Sequence, residues 1–91
     1  MTIHTHQETD TDLVLRVMQE ATGEVEFVLK KPEAKAYFHG IKDNQFEFAL
    51  YYLASGNILD CKSQVNQQVQ KSLKEAGITF VMPMHVVMEK D

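Results

Sequence analysis

The feature that most constrains this chain is the run from residue 45 to 53, where large apolar side chains recur at every second position from Phe46 to Tyr52. Phe46, Phe48, Leu50 and Tyr52 fall on one side, with Glu47, Ala49, Tyr51 and Leu53 on the other. A period of two belongs to a β-strand with one buried face, not to a helical stripe. A second strand is predicted over residues 34–41, joined to the first by a tight turn through Lys42, Asp43 and Asn44. A hairpin cannot bury its apolar face alone, so the rest of the chain must supply a cover.

Two helical patterns provide it. Leu13, Val14, Val17, Met18 and Ala21 form one stripe behind Asp10, a natural N-cap, and Gly23 stops that helix. Val65, Val69, Leu73 and Ala76 form the stripe of a second helix predicted over 60–76. Lys71 and Lys74 lie near its C-terminal end, where the helix dipole favours cations. Gly77 is placed for a left-handed C′ residue, with Ile78 folding back on Leu73. A weak strand over 2–7, with Ile3 its only strong apolar residue, and a strand over 78–82 complete the order β-α-β-β-α-β. Residues 24–33, closed by Pro32, read as an extended connection with a few anchoring side chains.

The expected fold is therefore α+β, a ferredoxin-like βαββαβ sandwich with two helices on one face of an antiparallel sheet, plus a short C-terminal strand. Residues 1–83 form the domain. Residues 84–91 form a tail that is a candidate oligomerisation segment. At 91 residues there is room for one core.

Composition narrows function mainly by exclusion. The formal charge is −4, and the nine Lys and Arg are scattered among acids, which argues against a nucleic-acid partner. A single cysteine, Cys61, cannot form an internal disulfide, so a reducing compartment is expected. No stretch approaches the roughly 20 apolar residues of a membrane span, and the first twelve residues lack a signal peptide's apolar core. The chain itself is expected to be soluble and cytoplasmic, any spanning part lying outside it.

Chemistry-bearing residues are sparse. His4 and His6 would share one side of a strand, but a zinc site needs three or four ligands, and we read them as exposed polar residues. His39 and His85 stand alone. Cys61 has no cationic cluster or partner His; only a place in the first turn of the second helix could lower its pKa. The acids form no paired-carboxylate signature, and the four glycines make no phosphate loop. No catalytic residue, cofactor or metal site is expected, and the chain reads as a non-enzyme.

Two surfaces stand out instead. The outer sheet face presents Tyr37 and His39 beside Tyr51 and Leu53, on the side without helices. These residues are either tyrosines on a wet sheet or an interface. The second surface begins at Phe80, Val81 and Met82 and continues past Pro83 into Met84, Val86, Val87 and Met88, a run unusually apolar for a monomer. It is either a folded-back edge strand or a subunit contact. Tyr37, Tyr51, Phe80, Met82, Pro83, Met84, Val86 and Val87 are the candidate interface residues.

Order and spacing over residues 9–87 resemble the C-terminal cytoplasmic domain of the small-conductance mechanosensitive channels. Asp10-Thr11-Asp12-Leu13-Val14 resembles the start of that family's first helix, and Leu29-Lys30-Lys31-Pro32-Glu33 the stretch before its second strand. Phe46-Glu47-Phe48-Ala49-Leu50 resembles its alternating strand. Glu75-Ala76-Gly77-Ile78-Thr79-Phe80 is similar to its helix end, with Pro83 in place of its second proline. Val81 stands where the family usually has a first proline, and Met84 where it has glutamine.

The resemblance implies a homo-oligomer, a heptamer in that family, on the cytoplasmic face of a bacterial or archaeal inner membrane. It implies a channel that opens under tension and releases solutes after hypo-osmotic shock. This domain would help build a cytoplasmic cage with side portals, and the following segment a small barrel with its neighbours. Contact with the membrane would come only through an upstream transmembrane region. The alternative is a free-standing ferredoxin-like regulatory or small-ligand-binding module.

Overall fold

The computed structural model describes residues 1–82. Pro83, and the tail expected over 84–91, lie outside the described residues. Six elements follow in order: β1 (Thr2–Thr5), α1 (Thr11–Gly23), β2 (Lys35–Lys42), β3 (Gln45–Tyr51), α2 (Ile58–Glu75) and β4 (Phe80–Val81). The sheet order is β2-β3-β1-β4, every neighbouring pair antiparallel. This is the expected α+β, βαββαβ arrangement.

Local chemistry accounts for the boundaries. The Asp10 carboxylate accepts from the backbone N–H groups of Asp12 and Leu13, at 3.1 and 3.3 Å, and so starts α1. Asn57 does the same for α2 through the Asp60 N–H at 3.1 Å, so the helix begins at Ile58, ahead of the expected Asp60. Ile58 and Leu59 are exposed, and the buried part of the stripe begins only at Cys61, which is why the stripe alone places the start too late. At the other end Gly77 adopts φ +75°. The Ile78 N–H donates to the Leu73 carbonyl (2.9 Å) and the Gly77 N–H to that of Lys74 (3.0 Å), a Schellman closure. Asp43 and Asn44, at φ 52° and 64°, form the two-residue turn between β2 and β3. Positive φ at both central residues matches the right-handed twist of the flanking strands.

The core is one cluster. Val14, Met18 and Ala21 of α1 and Cys61, Val65, Val69 and Leu73 of α2 meet Ile3, Phe48 and Leu50 of the sheet. Leu13 and Val17 are half-buried against the same cluster. The lower end of the α2 stripe is Leu73, because Ala76 is exposed. Thr22 is buried in α1, and its hydroxyl donates to the Met18 carbonyl at 2.7 Å, so burial leaves no orphaned group.

Three expectations need adjustment. β1, which looks weak in sequence, is an interior strand between β3 and β4, and both Ile3 and Thr5 are buried. The last strand covers only Phe80–Val81, not 78–82, since Ile78 and Gly77 are committed to closing α2. In the connection after α1 the anchors are Val25 and Val28, while Leu29 is exposed. That segment is fixed by backbone bonds to the chain after β3: Leu29 N–H to Leu53 carbonyl (2.8 Å) and Ser55 N–H to Phe27 carbonyl (2.7 Å).

Candidate interaction surface

Strand pleating sorts the sheet residues into two sets. Ile3 and Thr5 of β1, Phe46, Phe48 and Leu50 of β3, and Ala36 and Phe38 of β2 share the helix-facing side by register. The alternate residues fall on the other side, on which no described helix packs: Thr2 and His4, Glu47, Ala49 and Tyr51, Lys35 and Tyr37, and Val81 of β4. Tyr37 and Tyr51 come together there as an edge-to-face pair with ring centroids 5.7 Å apart, and they are 49 % and 57 % exposed. The expectation of an outer face carrying these two tyrosines thus has a definite geometry.

Beside the tyrosines runs a row of charge. The register of β2 against β3 slips between Phe38 and Gly40, so His39 and Gly40 together face Glu47. Gly40 takes φ +102°, a conformation that L side chains rarely adopt, and the bulge turns His39 toward the carboxylate. His4 Nε2 lies 3.0 Å from Glu47 Oε2, His39 Nδ1 3.5 Å from Oε1, and Lys42 Nζ 4.0 Å from Oε2. The hydrogen bond from His4 holds the Glu47 carboxyl below its ordinary pKa, and Lys42 and His39 reinforce that against partial desolvation. The two imidazoles approach opposite oxygens, so the row is bridged through the carboxylate. Among the described residues no three His, Cys, Asp or Glu side chains gather as a metal site requires. His6, the other half of the sequence pair, accepts from the Glu8 N–H at its own Nδ1 instead.

A groove opens at the end of β3. It has a volume of about 870 Å³, with Tyr37, Tyr51, Leu53 and Ile58 among its walls and Lys35 and Lys62 beside them. Leu53 and Ile58 are 50 % and 64 % exposed, a large apolar display for two neighbouring positions.

Of the remaining sequence candidates, Phe80 sits opposite Thr5 on β4, at the far edge of the sheet. Phe80 and Met82 are half-buried, pack against the core, and border a smaller depression with Gln70 and Lys74. Pro83, Met84, Val86 and Val87 lie outside the described residues. Cys61 does occupy the first turn of α2, but burial dominates there and pushes its thiol pKa up. Its Sγ lies 3.4 Å from the Phe27 carbonyl. The dipole effect anticipated from sequence is overridden by desolvation. Sequence reasoning missed the Glu47 row and the place of Lys35, Ile58 and Lys62 along the groove. Parity counting along β1 and β3 could have found His4 with Glu47, whereas His39 joins only through the bulge.

Among the described residues no helix is long and apolar enough to cross a membrane. Residues 1–80 match the family described as "Mechanosensitive ion channel MscS, C-terminal". A search of curated proteins found no match.

Proposed function

The chain belongs to the family of C-terminal domains of MscS mechanosensitive ion channels, and from that premise we propose that it is the cytoplasmic assembly module of such a channel. In this reading its role is structural: copies of the domain pack around an axis to build a cage beneath the pore, through which solutes pass after hypo-osmotic shock. The supporting observation is the outer sheet face, where Tyr37 and Tyr51 stand paired and half exposed with no described element over them. Amphipathic aromatic rings of this kind are the side chains that protein interfaces favour. The heptameric state belongs to the same proposal, as does placement on the inner face of the membrane.

Two measurements test it. The reading frame upstream of Met1 should encode membrane-spanning segments; an in-frame stop directly before Met1 overturns the channel role. In solution the chain should associate with rising concentration, as read by light scattering, and Tyr51→Asp should weaken that association without loss of the far-UV spectrum. A strictly monomeric chain overturns the assembly role. The groove volume of about 870 Å³ also falls in the range of small-molecule sites. That favours a regulatory ligand module as the second reading, and a compound that raises the melting temperature through this groove would support it.

A further inference from the structure

We infer that β1 continues upstream of Met1: the segment preceding it runs as an extended strand along the groove and pairs with the backbone of Tyr52 and Ala54. The inference rests on the channel reading above, which gives the chain an upstream segment, and adds where that segment is held.

The first support is an unfinished hydrogen-bond ladder. The pairing of β1 with β3 runs one rung beyond Thr2. The Met1 nitrogen donates to the Leu50 carbonyl (3.2 Å), and the Leu50 N–H donates back to the Met1 carbonyl (2.8 Å). This keeps the register that sets Thr2 opposite Ala49 and Ile3 opposite Phe48. Bonded and unbonded rungs alternate in an antiparallel pair. After Leu50, the next backbone groups aimed at the line of β1 are therefore those of Tyr52, then those of Ala54. Leu53 and Ser55 turn the other way. The Leu53 carbonyl accepts from Leu29, and the Ser55 N–H donates to Phe27, with Ala54 bridged to Val28 between them. Among the described residues Tyr52 and Ala54 have no backbone partner. Open rungs in line with a paired strand are a template for more strand.

The second support is space. Met1, Tyr52 and Ala54 all line the groove of about 870 Å³, with Ile58 and Lys62 among its other walls. A strand that extends β1 in its own register enters there directly. The residue just before Met1 falls opposite Tyr51, on the outer face, and the one before that opposite Tyr52, on the helix-facing side. An apolar side chain at that second place would lie near Ile58, which is 64 % exposed.

The third is charge. Burial, and the Lys62 ammonium after it, hold the Met1 amine below its ordinary pKa. A positive charge is poorly placed at this rung. A peptide N–H makes the same bond to Leu50 and carries no charge.

Hydrogen exchange read by NMR tests this on two proteins: the 91-residue chain, and a chain begun eight codons earlier in its own reading frame. In the shorter protein the Tyr52 and Ala54 amides should exchange freely. In the longer one both should slow by about tenfold or more, while Leu50, bonded in either, stays as it was. The longer protein should also show a cross-strand α-proton contact between Tyr51 and the residue just before Met1, the mark of an unbonded antiparallel rung. Tyr52 and Ala54 amides that exchange as fast in the longer protein as in the shorter overturn the inference and leave the channel reading standing. So does protection of both amides already present in the 91-residue chain. A stop codon directly before Met1 removes the channel reading first, and this inference with it.

Discussion

His4 and Glu47 sit directly opposite each other on β1 and β3, and the imidazole Nε2 lies 3.0 Å from the carboxylate Oε2. The pair joins residues 43 positions apart in sequence across the two interior strands. It is therefore a tertiary contact whose protonation is coupled to folding.

That coupling has a sign. The folded-state pKa of Glu47 lies below its ordinary value of 4.5, chiefly because His4 donates to the ionised form. The unfolded chain binds this proton more tightly, so the stabilisation is complete above about pH 4.5 and is lost as pH falls through the lower folded value. Glu47→Gln should lower the urea midpoint at pH 7 and converge on wild type in strong acid. Parallel pH profiles for the two proteins would show that Glu47 contributes nothing to the acid limb.

Cys61 should be inert in the native protein. Its burial and raised pKa both withhold the thiolate. Labelling by a thiol-specific disulfide reagent at pH 8 is expected only as fast as the chain opens, and at once in denaturant. Rapid labelling of the folded chain would contradict the packing of α2 described above.

Two glycines offer opposite outcomes from one substitution. Gly77 adopts φ +75°, and a Cβ there would meet nothing within 4 Å, so the cost of Gly77→Ala is conformational alone, about 1–2 kcal/mol. Gly23 ends α1, also with open space around it and no left-handed φ, so Gly23→Ala should stabilise by about 0.4–1 kcal/mol. Chemical denaturation of both variants should give shifts of opposite direction.

Phe48 fixes how much the sheet contributes to the core. It is fully buried, and its ring lies 5.3 Å from that of Phe38. Phe48→Ala should cost about 3–5 kcal/mol, a large part of the 5–15 kcal/mol expected for a domain. A melting temperature little changed from wild type would mean that the cavity collapses far better than this packing allows.

Much of the fold was legible because the signals were local. The alternation at Phe46–Phe48–Leu50, the Asp10 cap, the Asp43–Asn44 turn and the Gly77 closure each operate within a few residues, and each is found where the sequence puts it. What stayed hidden depends on partners far along the chain. β1 looks weak because His4 is polar, yet His4 faces Glu47 and the buried Ile3 faces the helices. Asn57 starts α2 ahead of its buried stripe, because the first two helical residues, Ile58 and Leu59, are exposed. The surface was legible as a pair of tyrosines, since parity alone puts Tyr37 and Tyr51 on the outer side. The groove beside them was not, because Ile58 and Lys62 arrive from a helix whose placement no strand pattern encodes.

The interior position of β1 has a mechanical meaning. A backbone entering at Thr2 feeds straight into the middle of the sheet, gripped by β3 on one side and β4 on the other. A pull along that strand loads in shear the bonds to both neighbours, four paired positions on the β3 side and two on the β4 side, whereas an edge strand has bonds on one side only. Under the channel role proposed above, this architecture makes the sheet a stiff anchor at its first strand.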